Sequence, residues 1–306
     1  MNDCADVVFV HRGYSWYLPF ILNQAKSVDP DANIVLLGDC AKSESIEPKF
    51  FRELRDSHYI SRFVDKYIHM STNSSEFELF CWLRWFYLLD YMQRNSIASA
   101  FHLDSDVLLF SSLGDIKSYY GDVINDCGYM IPDQSFDALE WSASAHISYW
   151  TAERLAEFCE FAIESFSDRR YLSLYAEKWH WHQQHQLAGG ICDMTTFYLF
   201  WLERGSSIGN LSRQHDRHIF DNNMNSANNY LPDEFELDRG LKKIDFVNGK
   251  PMFTASKDSQ LVRVHGCHFQ GAAKQYIPTY YRGKNFPGKT ATALSRTAIK
   301  LLKTLR

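Results

Sequence analysis

Phe101-His102-Leu103-Asp104-Ser105-Asp106-Val107-Leu108 is the stretch on which the reading of this chain turns. An apolar run reaching back to Ile97 stops at two carboxylates spaced i and i+2, and a second apolar run, Val107 to Phe110, follows at once. In extended backbone such a pair lies on one side of the strand, so Asp104 and Asp106 are expected to face one space and share a cation. Two acids beside a strand end are more often a solvated turn. Here the apolar flanks place them on a core strand, and ligands collect at the C-terminal edge of a parallel sheet. Oxygen donors suit a hard octahedral ion, Mn²⁺ or Mg²⁺, that keeps positions for the phosphates of a nucleotide diphosphate.

Working outward, Asp6 to Val10 is a short β-rich run, followed by a turn at His11-Arg12-Gly13 and a helical pattern through Leu18, Ile21, Leu22 and Ala25. Asn33 to Leu37 is a second strand ending at Gly38-Asp39. Strand, helix, strand at this spacing is a βαβ unit and predicts a parallel sheet. Phe77 to Met92 is apolar on nearly every face, which predicts a helix buried on all sides, with Arg84 and Asp90 as its odd members. Further strands are expected at Gly128–Ile131 and Ile147–Trp150, and helices at Thr151–Phe166 and Cys192–Leu202. Asn210 to Asn248 is polar and asparagine-rich, and reads as loops with short strands. The predicted class is α/β, with a mostly parallel central sheet between helices.

With 306 residues, 45% of them hydrophobic and 23% charged, the chain can bury a sizeable core. Its seven cysteines are scattered and never form a C-x-x-C pair, so they read as reduced core thiols. Asp3 and Asp6 interrupt any leader-like opening, and no 18-residue apolar run occurs. A cytoplasmic protein that does not span a membrane is therefore expected. The net charge is −5, yet after Asp258 there are nine Lys or Arg residues and no acid, which leaves −14 on the first 258 residues. That split points the C-terminal segment at something anionic, phosphate or a lipid surface. From Thr290 to Arg306, Leu294, Ala298, Leu301, Leu302 and Leu305 approximate helical spacing beside Arg296, Lys300, Lys303 and Arg306. This predicts a basic amphipathic helix, 290–306, appended to a domain at 1–289. It would either lie on an anionic membrane or pack on the domain.

A second motif stands far from the first in sequence: Val264-His265-Gly266-Cys267-His268-Phe269-Gln270-Gly271-Ala272-Ala273-Lys274. His268 can give an imidazole nitrogen to a metal, Gly271 lets backbone approach a phosphate, and Lys274 is a point charge for that phosphate. Each alone is bland; their combination beside D-x-D is not.

Asp104-x-Asp106 together with His268-Phe269-x-Gly271-x-x-Lys274 resembles the D-x-D and H-F-x-G-x-x-K signatures of retaining glycosyltransferases related to glycogenin and bacterial lipopolysaccharide galactosyltransferases. The resemblance implies a GT-A fold, Asp104, Asp106 and His268 as metal ligands, and Lys274 on the diphosphate. Ser105 belongs to the same cofactor-contacting set. Pro-Trp often follows the lysine in that family, whereas this chain continues Gln275-Tyr276. The implied activity moves a hexose from a nucleotide-diphosphate sugar, by resemblance a UDP-sugar, to a hydroxyl of a glycan or lipid-linked acceptor, with retention.

Leu187-Ala188-Gly189-Gly190-Ile191-Cys192-Asp193 is similar to the glycine-containing loop and acid that such enzymes place near the reacting sugar. Asp193 is thus a candidate catalytic residue beside Lys274, or else a helix N-terminal acid favoured by the dipole. Arg84, on the buried helix, needs an anion: the nucleotide-sugar, a D-x-D aspartate, or else Asp90 or another core acid. Tyr14 or Tyr17, after the first strand, would stack on a base, and Asp39, after the second, would accept from base or ribose. The three histidines of Trp179–His185 lack the pattern of a zinc motif. That segment recognises an acceptor sugar or is a polar loop. Two other functions use similar residues, a sugar nucleotidyltransferase and a catalytically silent nucleotide-sugar or glycan-binding protein. No nucleic-acid partner is expected.

Overall fold

Residues 6–39, 49–51 and 58–284 are described by a computed structural model of the chain. The first part runs β1 (Asp6–His11), α1 (Leu18–Val28), β2 (Ile34–Gly38), β3 (Lys49–Phe50), α2 (His58–Lys66), α3 (Ser75–Arg94), β4 (Ser99–Leu103) and β5 (Val107–Leu109). The middle follows with α4 (Leu113–Ile124), β6 (Cys127–Met130), β7 (Ser144–Thr151), α5 (Ala152–Ser165), α6 (Arg169–Gln184) and α7 (Asp193–Arg204). Short strands then dominate: β8 (Gly209–Asn210), β9 (His218–Phe220), β10 (Leu237–Asp238), β11 (Leu241–Lys242), β12 (Ile244–Val247), β13 (Lys250–Thr254) and β14 (Leu261–His268), ending in α8 (Ile277–Tyr280).

The expected βαβ unit is present: β1 and β2 pair in parallel, with Val7 opposite Ile34 and His11 opposite Gly38. β4 joins β1 in parallel on the other side, and β7, β6 and β8 complete a seven-stranded sheet in the order β3-β2-β1-β4-β7-β6-β8. Only the β4–β7 and β7–β6 pairings are antiparallel. The sheet is thus mostly parallel, as expected. Alternation along the strands loads both of its faces: Val7, Phe9 and Leu36 pack with Phe20 and Ile21 of α1. Val8, Val10, Val35 and Leu37 join the cluster containing Trp82, Trp85 and Phe86 of α3. Strands buried on both faces read as continuous apolar runs rather than as alternating ones.

A second sheet, in the order β12-β13-β14-β5, is antiparallel along that path, with β9 added in parallel to β14. It was not legible in the sequence. β4 and β5 are contiguous in the chain but belong to different sheets, so Asp104-Ser105-Asp106 is the joint between them. The backbone there is a turn, in which the Val107 amide donates to the Asp104 carbonyl at 3.0 Å. Extended geometry at the two aspartates is therefore corrected. The chain must change sheets within three residues, and a turn does that while extended backbone does not. The Asp104 amide donates to His146 (2.8 Å), and the Asp106 carbonyl accepts from Phe269 (3.0 Å), which fastens the joint on both sides.

Helix α3 is capped by Ser74, whose hydroxyl accepts from the Phe77 amide, with Glu76 and Glu78 in its first turn, where the dipole favours acids. It is not buried on all sides. Its C-terminal half from Trp85 to Met92 is buried, but Phe77 is 55% exposed and Phe80, Cys81 and Arg84 face a cavity. The apolar residues at its start line a ligand space rather than a core. Trp179 to Gln184 lie on α6, so the polar-loop alternative for that segment is corrected too. The basic segment 290–306, Cys4 and Cys40 lie outside the described residues.

Candidate active site

The C-terminal ends of β1 and β4, the starts of α3 and α7, part of α6 and the end of β14 enclose a cavity of about 800 Å³. Parallel pairing explains this convergence, because β1 and β4 end at the same edge. The β7 neighbour holds the D-x-D joint against that edge. Asp104, Ser105, Asp106, Arg84, Asp193, His268 and Lys274 all line the cavity. Residues separated by up to 190 positions in the chain thus meet in one space.

One carboxylate oxygen from each of Asp104 and Asp106 and one ring nitrogen of His268 lie within 4.8 Å of one another. His268 Nδ1 is 2.9 Å from the Asn222 carbonyl, which can only accept, so Nδ1 carries the proton. Nε2 then faces Asp106 Oδ1 at 3.4 Å. This is how a histidine is oriented when its other nitrogen serves a cation. Each aspartate has one oxygen held by a cationic side chain: Arg84 Nη1 donates to Asp104 Oδ1 at 2.7 Å, and Lys274 Nζ to Asp106 Oδ2 at 2.6 Å. The second oxygen of each is left for an ion. The donor set, two carboxylates and an imidazole, fits Mn²⁺ or Mg²⁺.

Burial by itself would raise the Asp106 carboxyl and lower the His268 imidazole. For Asp106 the charges of His268 and Lys274 outweigh burial, and it is held well below the usual carboxylate range. For His268 the neighbouring Asp106 outweighs burial, and its pKa is raised. Both shifts favour an ionic contact between His268 and Asp106, at the place a divalent ion would take. Arg84 also bonds Asp193 Oδ2 at 2.7 Å, and the Trp85 indole donates to the same oxygen at 2.9 Å. Burial works against the guanidinium charge, but Asp104 and Asp193 outweigh it and push the pKa up. Of the partners weighed for Arg84, the structure brings Asp104 and Asp193; Asp90 instead pairs with Arg94 at 2.7 Å.

Asp193 both opens α7 and faces the cavity, so the two alternatives read for it coincide. The loop before it is fixed by Gly190, whose φ is +150° and where a Cβ would lie 2.3 Å from the Met70 carbonyl. Only glycine lets the Met70–Ser71 backbone close on that loop. Other residues are not brought together with these. Tyr14 is 58% exposed and, like Asp39 and Gly271, does not line the cavity; Asp39 Oδ1 accepts from the Gly13 amide at 2.6 Å. Tyr17 does line it, and His11 bonds Ser105 Oγ at 2.8 Å. Of the Trp179–His185 segment, His182 reaches the wall, with Lys178 one turn earlier on α6.

Several supporting residues escaped the sequence reading. His146 stacks on His268 with ring centroids 4.0 Å apart, and its Nε2 lies 3.1 Å from the Asp221 carbonyl. Asp221 Oδ2 accepts the His268 amide at 2.9 Å. Asp221 sits in the asparagine-rich stretch read as loops, and the one signal that could have found it is Ile219-Phe220-Asp221, an acid after two apolar residues in a polar region.

No family model and no curated protein matches the chain. Among solved structures it is similar to mouse xyloside xylosyltransferase 1 in its apo form, with 11% identity, a TM-score of 0.44, and coverage of 70% of this chain and 87% of that one. It is similar to galactosyltransferase LgtC in complex with donor and acceptor sugar analogues, with 12% identity, a TM-score of 0.43 and coverage of 95% of each chain. The bifunctional glycosyltransferase WbbM follows with 12% identity, a TM-score of 0.37, and coverage of 73% of this chain and 41% of that one. At such identities and scores the chemistry of the site has to be read from its own residues.

Proposed function

We propose that the chain is a metal-dependent glycosyltransferase that moves a hexose from a nucleotide-diphosphate sugar, a UDP-sugar by motif resemblance, to an acceptor hydroxyl. One observation carries this reading: Asp104, Asp106 and His268 converge at the C-terminal edge of a parallel sheet, on a cavity that also holds Lys274. A bound Mn²⁺ or Mg²⁺ would neutralise the charge that builds on the diphosphate as the glycosidic bond breaks. Asp104, Asp106 and His268 would hold it, and Lys274 would leave Asp106 to meet a phosphate oxygen. Arg84 keeps Asp104 and Asp193 at a fixed separation, so the acid nearest the sugar is tied to the acid nearest the metal. Asp193 then stabilises charge on the sugar or binds the acceptor, consistent with the retaining outcome that the H-F-x-G-x-x-K motif implies. His182 and Lys178 give the acceptor side of the cavity its polar wall. Tyr14 and Asp39 would contact the nucleotide only if the base extends beyond the cavity's rim.

The catalytic unit in this reading is 1–289, and 290–306 brings it to an anionic membrane surface carrying a glycan or lipid-linked acceptor, on the cytoplasmic face. No helix among the described residues is long and apolar enough to cross a membrane. Salt-sensitive sedimentation with anionic vesicles, lost on deleting 290–306, tests that part. The main test is donor hydrolysis by the purified protein across a panel of nucleotide-sugars with and without Mn²⁺. Turnover of one donor that requires Mn²⁺ is expected; no turnover of any donor, with binding retained, would leave a silent binding protein.

A further inference from the structure

A second cavity, of about 410 Å³, lies at the opposite end of β14 from His268. Arg263 and His268 stand five positions apart on the strand, about 16 Å along the chain. Its wall includes Arg263, His265, His218, Ser111, Tyr119 and Lys250. Asp115 is the acid among its lining residues. Arg263 is only 9% exposed, and among the described residues no carboxylate comes within ion-pair distance of it. Its guanidinium instead donates to neutral oxygens: Nη1 to the Pro251 carbonyl (3.2 Å), Nη2 to the Phe110 carbonyl (2.8 Å) and to Ser111 Oγ (3.0 Å). A buried cation satisfied only by dipoles keeps its field for something else.

The hydrogen-bond chain leading from Arg263 has one direction. Arginine only donates, so Ser111 Oγ accepts from it. Among the described residues the Ser111 hydroxyl proton has His265 Nδ1, at 2.7 Å, as its acceptor. His265 Nδ1 therefore accepts, and His265 Nε2 carries the ring proton and donates it to His218 Nδ1 at 2.8 Å. That leaves the proton of His218 on Nε2, the nitrogen outside this chain, on a ring that lines the cavity. The opposite assignment would strand the Ser111 proton. Tyr119 stacks on the His218 ring with centroids 3.5 Å apart and fixes its plane. Burial keeps both rings on the neutral side, since it lowers the pKa of His218 and takes His265 down to about 3. The result is a preset N–H donor beside one buried and one solvent-facing cation.

We propose that this cavity is a second ligand site that takes an oxyanion, a phosphate or carboxylate group, on His218 Nε2–H and Lys250, in the field of Arg263. It is independent of the D-x-D centre and of the function assigned to that centre. The test uses the full chain with ¹⁵N-labelled histidine, in chelator, titrated in separate arms with inorganic phosphate and with glucuronate. The His218 imidazole signals, assigned from their loss in His218→Phe, are expected to shift saturably in at least one arm, and the arm that saturates at lower concentration names the anion class. Lys250→Ala should weaken that response about tenfold, the size of one charge-assisted hydrogen bond. Lys274→Met, which removes a cationic side chain from the wall of the other cavity, should leave it in place. His218 signals that stay still in both arms overturn the proposal. So does a Lys250→Ala response equal to that of the unmodified chain, or a response that disappears in Lys274→Met.

Discussion

Lys242 Nζ lies 2.6 Å from Asp221 Oδ1 with both side chains wholly withdrawn from solvent, and this ion pair stands directly behind His268. Lys242 also donates to Asn229 Oδ1 at 3.1 Å and to the Asn223 carbonyl at 3.2 Å. The second oxygen of Asp221 takes the His268 amide, and the carbonyl of the next residue, Asn222, takes His268 Nδ1–H. A charge pair from β11 and the β9 end thus sets the backbone and the ring of the histidine at the candidate metal centre.

Removing one member of that pair leaves an uncompensated buried charge. Lys242→Met is expected to lower stability by about 3–5 kcal/mol in urea unfolding. Mn²⁺ affinity, followed by electron paramagnetic resonance, should fall about 10- to 100-fold even where the protein remains folded, as for other outer groups that orient a ligand. The double change Asp221→Asn with Lys242→Met should recover part of the stability but not the metal affinity. Unchanged Mn²⁺ binding in folded Lys242→Met would assign the pair to packing alone.

Asp106→Asn keeps the shape of the side chain and removes its charge. Transfer is expected to drop by at least about 10²-fold, the scale on which losing a preorganised electrostatic group acts. Chelator should abolish turnover of the unmodified protein, and Mn²⁺ should restore it. Full activity in excess chelator would remove the ion from the reaction.

Arg84 bridges Asp104 and Asp193 with separate nitrogens at 2.7 Å each, a geometry that a lysine ammonium cannot reproduce. Arg84→Lys is expected to reduce kcat about tenfold or more, with donor affinity much less affected, because it loosens two acids rather than a donor contact. Steady-state kinetics beside donor titration separates the two. Equal losses in both would place Arg84 on the nucleotide-sugar itself.

Burial holds the folded pKa of His265 at about 3, below the ordinary 6.5 of the unfolded chain, with His218, Arg263 and Lys250 adding to the effect. Below 6.5 the unfolded chain binds the proton that the folded one excludes. Stability from this group is thus fully present above pH 6.5 and is lost progressively towards pH 3. The loss by pH 4 should be on the order of 3 kcal/mol. His265→Gln, measured by urea unfolding at several pH values, should flatten that part of the profile. An unchanged slope would show that His265 does not control it.

Much of the scaffold was legible because its signals are local. Asp6–Val10 and Asn33–Leu37 read as strands around a helix from their own periodicity, and the helix at Thr151–Phe166 announced itself by spacing. It begins with Thr151 accepting from the Arg154 amide. The strands expected at Gly128–Ile131 and Ile147–Trp150 and the helix expected at Cys192–Leu202 differ from the observed elements by a few residues only. The second sheet was not legible, since β9, β12 and β13 are short and β14 meets β5 and β9 across long stretches of chain, so neither length nor period distinguishes these strands from loops. Helix α6 was hidden for a related reason. His180, Trp181 and His182 are weak helix formers by intrinsic preference, and packing of Tyr175 and Lys178 decides their conformation.

By itself the sequence determined which chemical groups this protein has for a reaction and which strand end would carry the first of them. Asp104, Asp106, His268 and Lys274 could be named because carboxylate, imidazole and ammonium have fixed chemistry wherever they stand. What only the tertiary structure decided is how those groups are held: the turn that joins two sheets at Asp104-Ser105-Asp106, the single guanidinium shared by Asp104 and Asp193, and the Asp221–Lys242 pair behind His268. It also decided that Tyr14 and Asp39 stay outside the cavity and that His182 enters it. The physical reason is range. Propensity and hydrophobic period act over a few residues, whereas an ion pair or an oriented imidazole depends on distances between segments far apart in the chain, and those distances exist only once both sheets have packed.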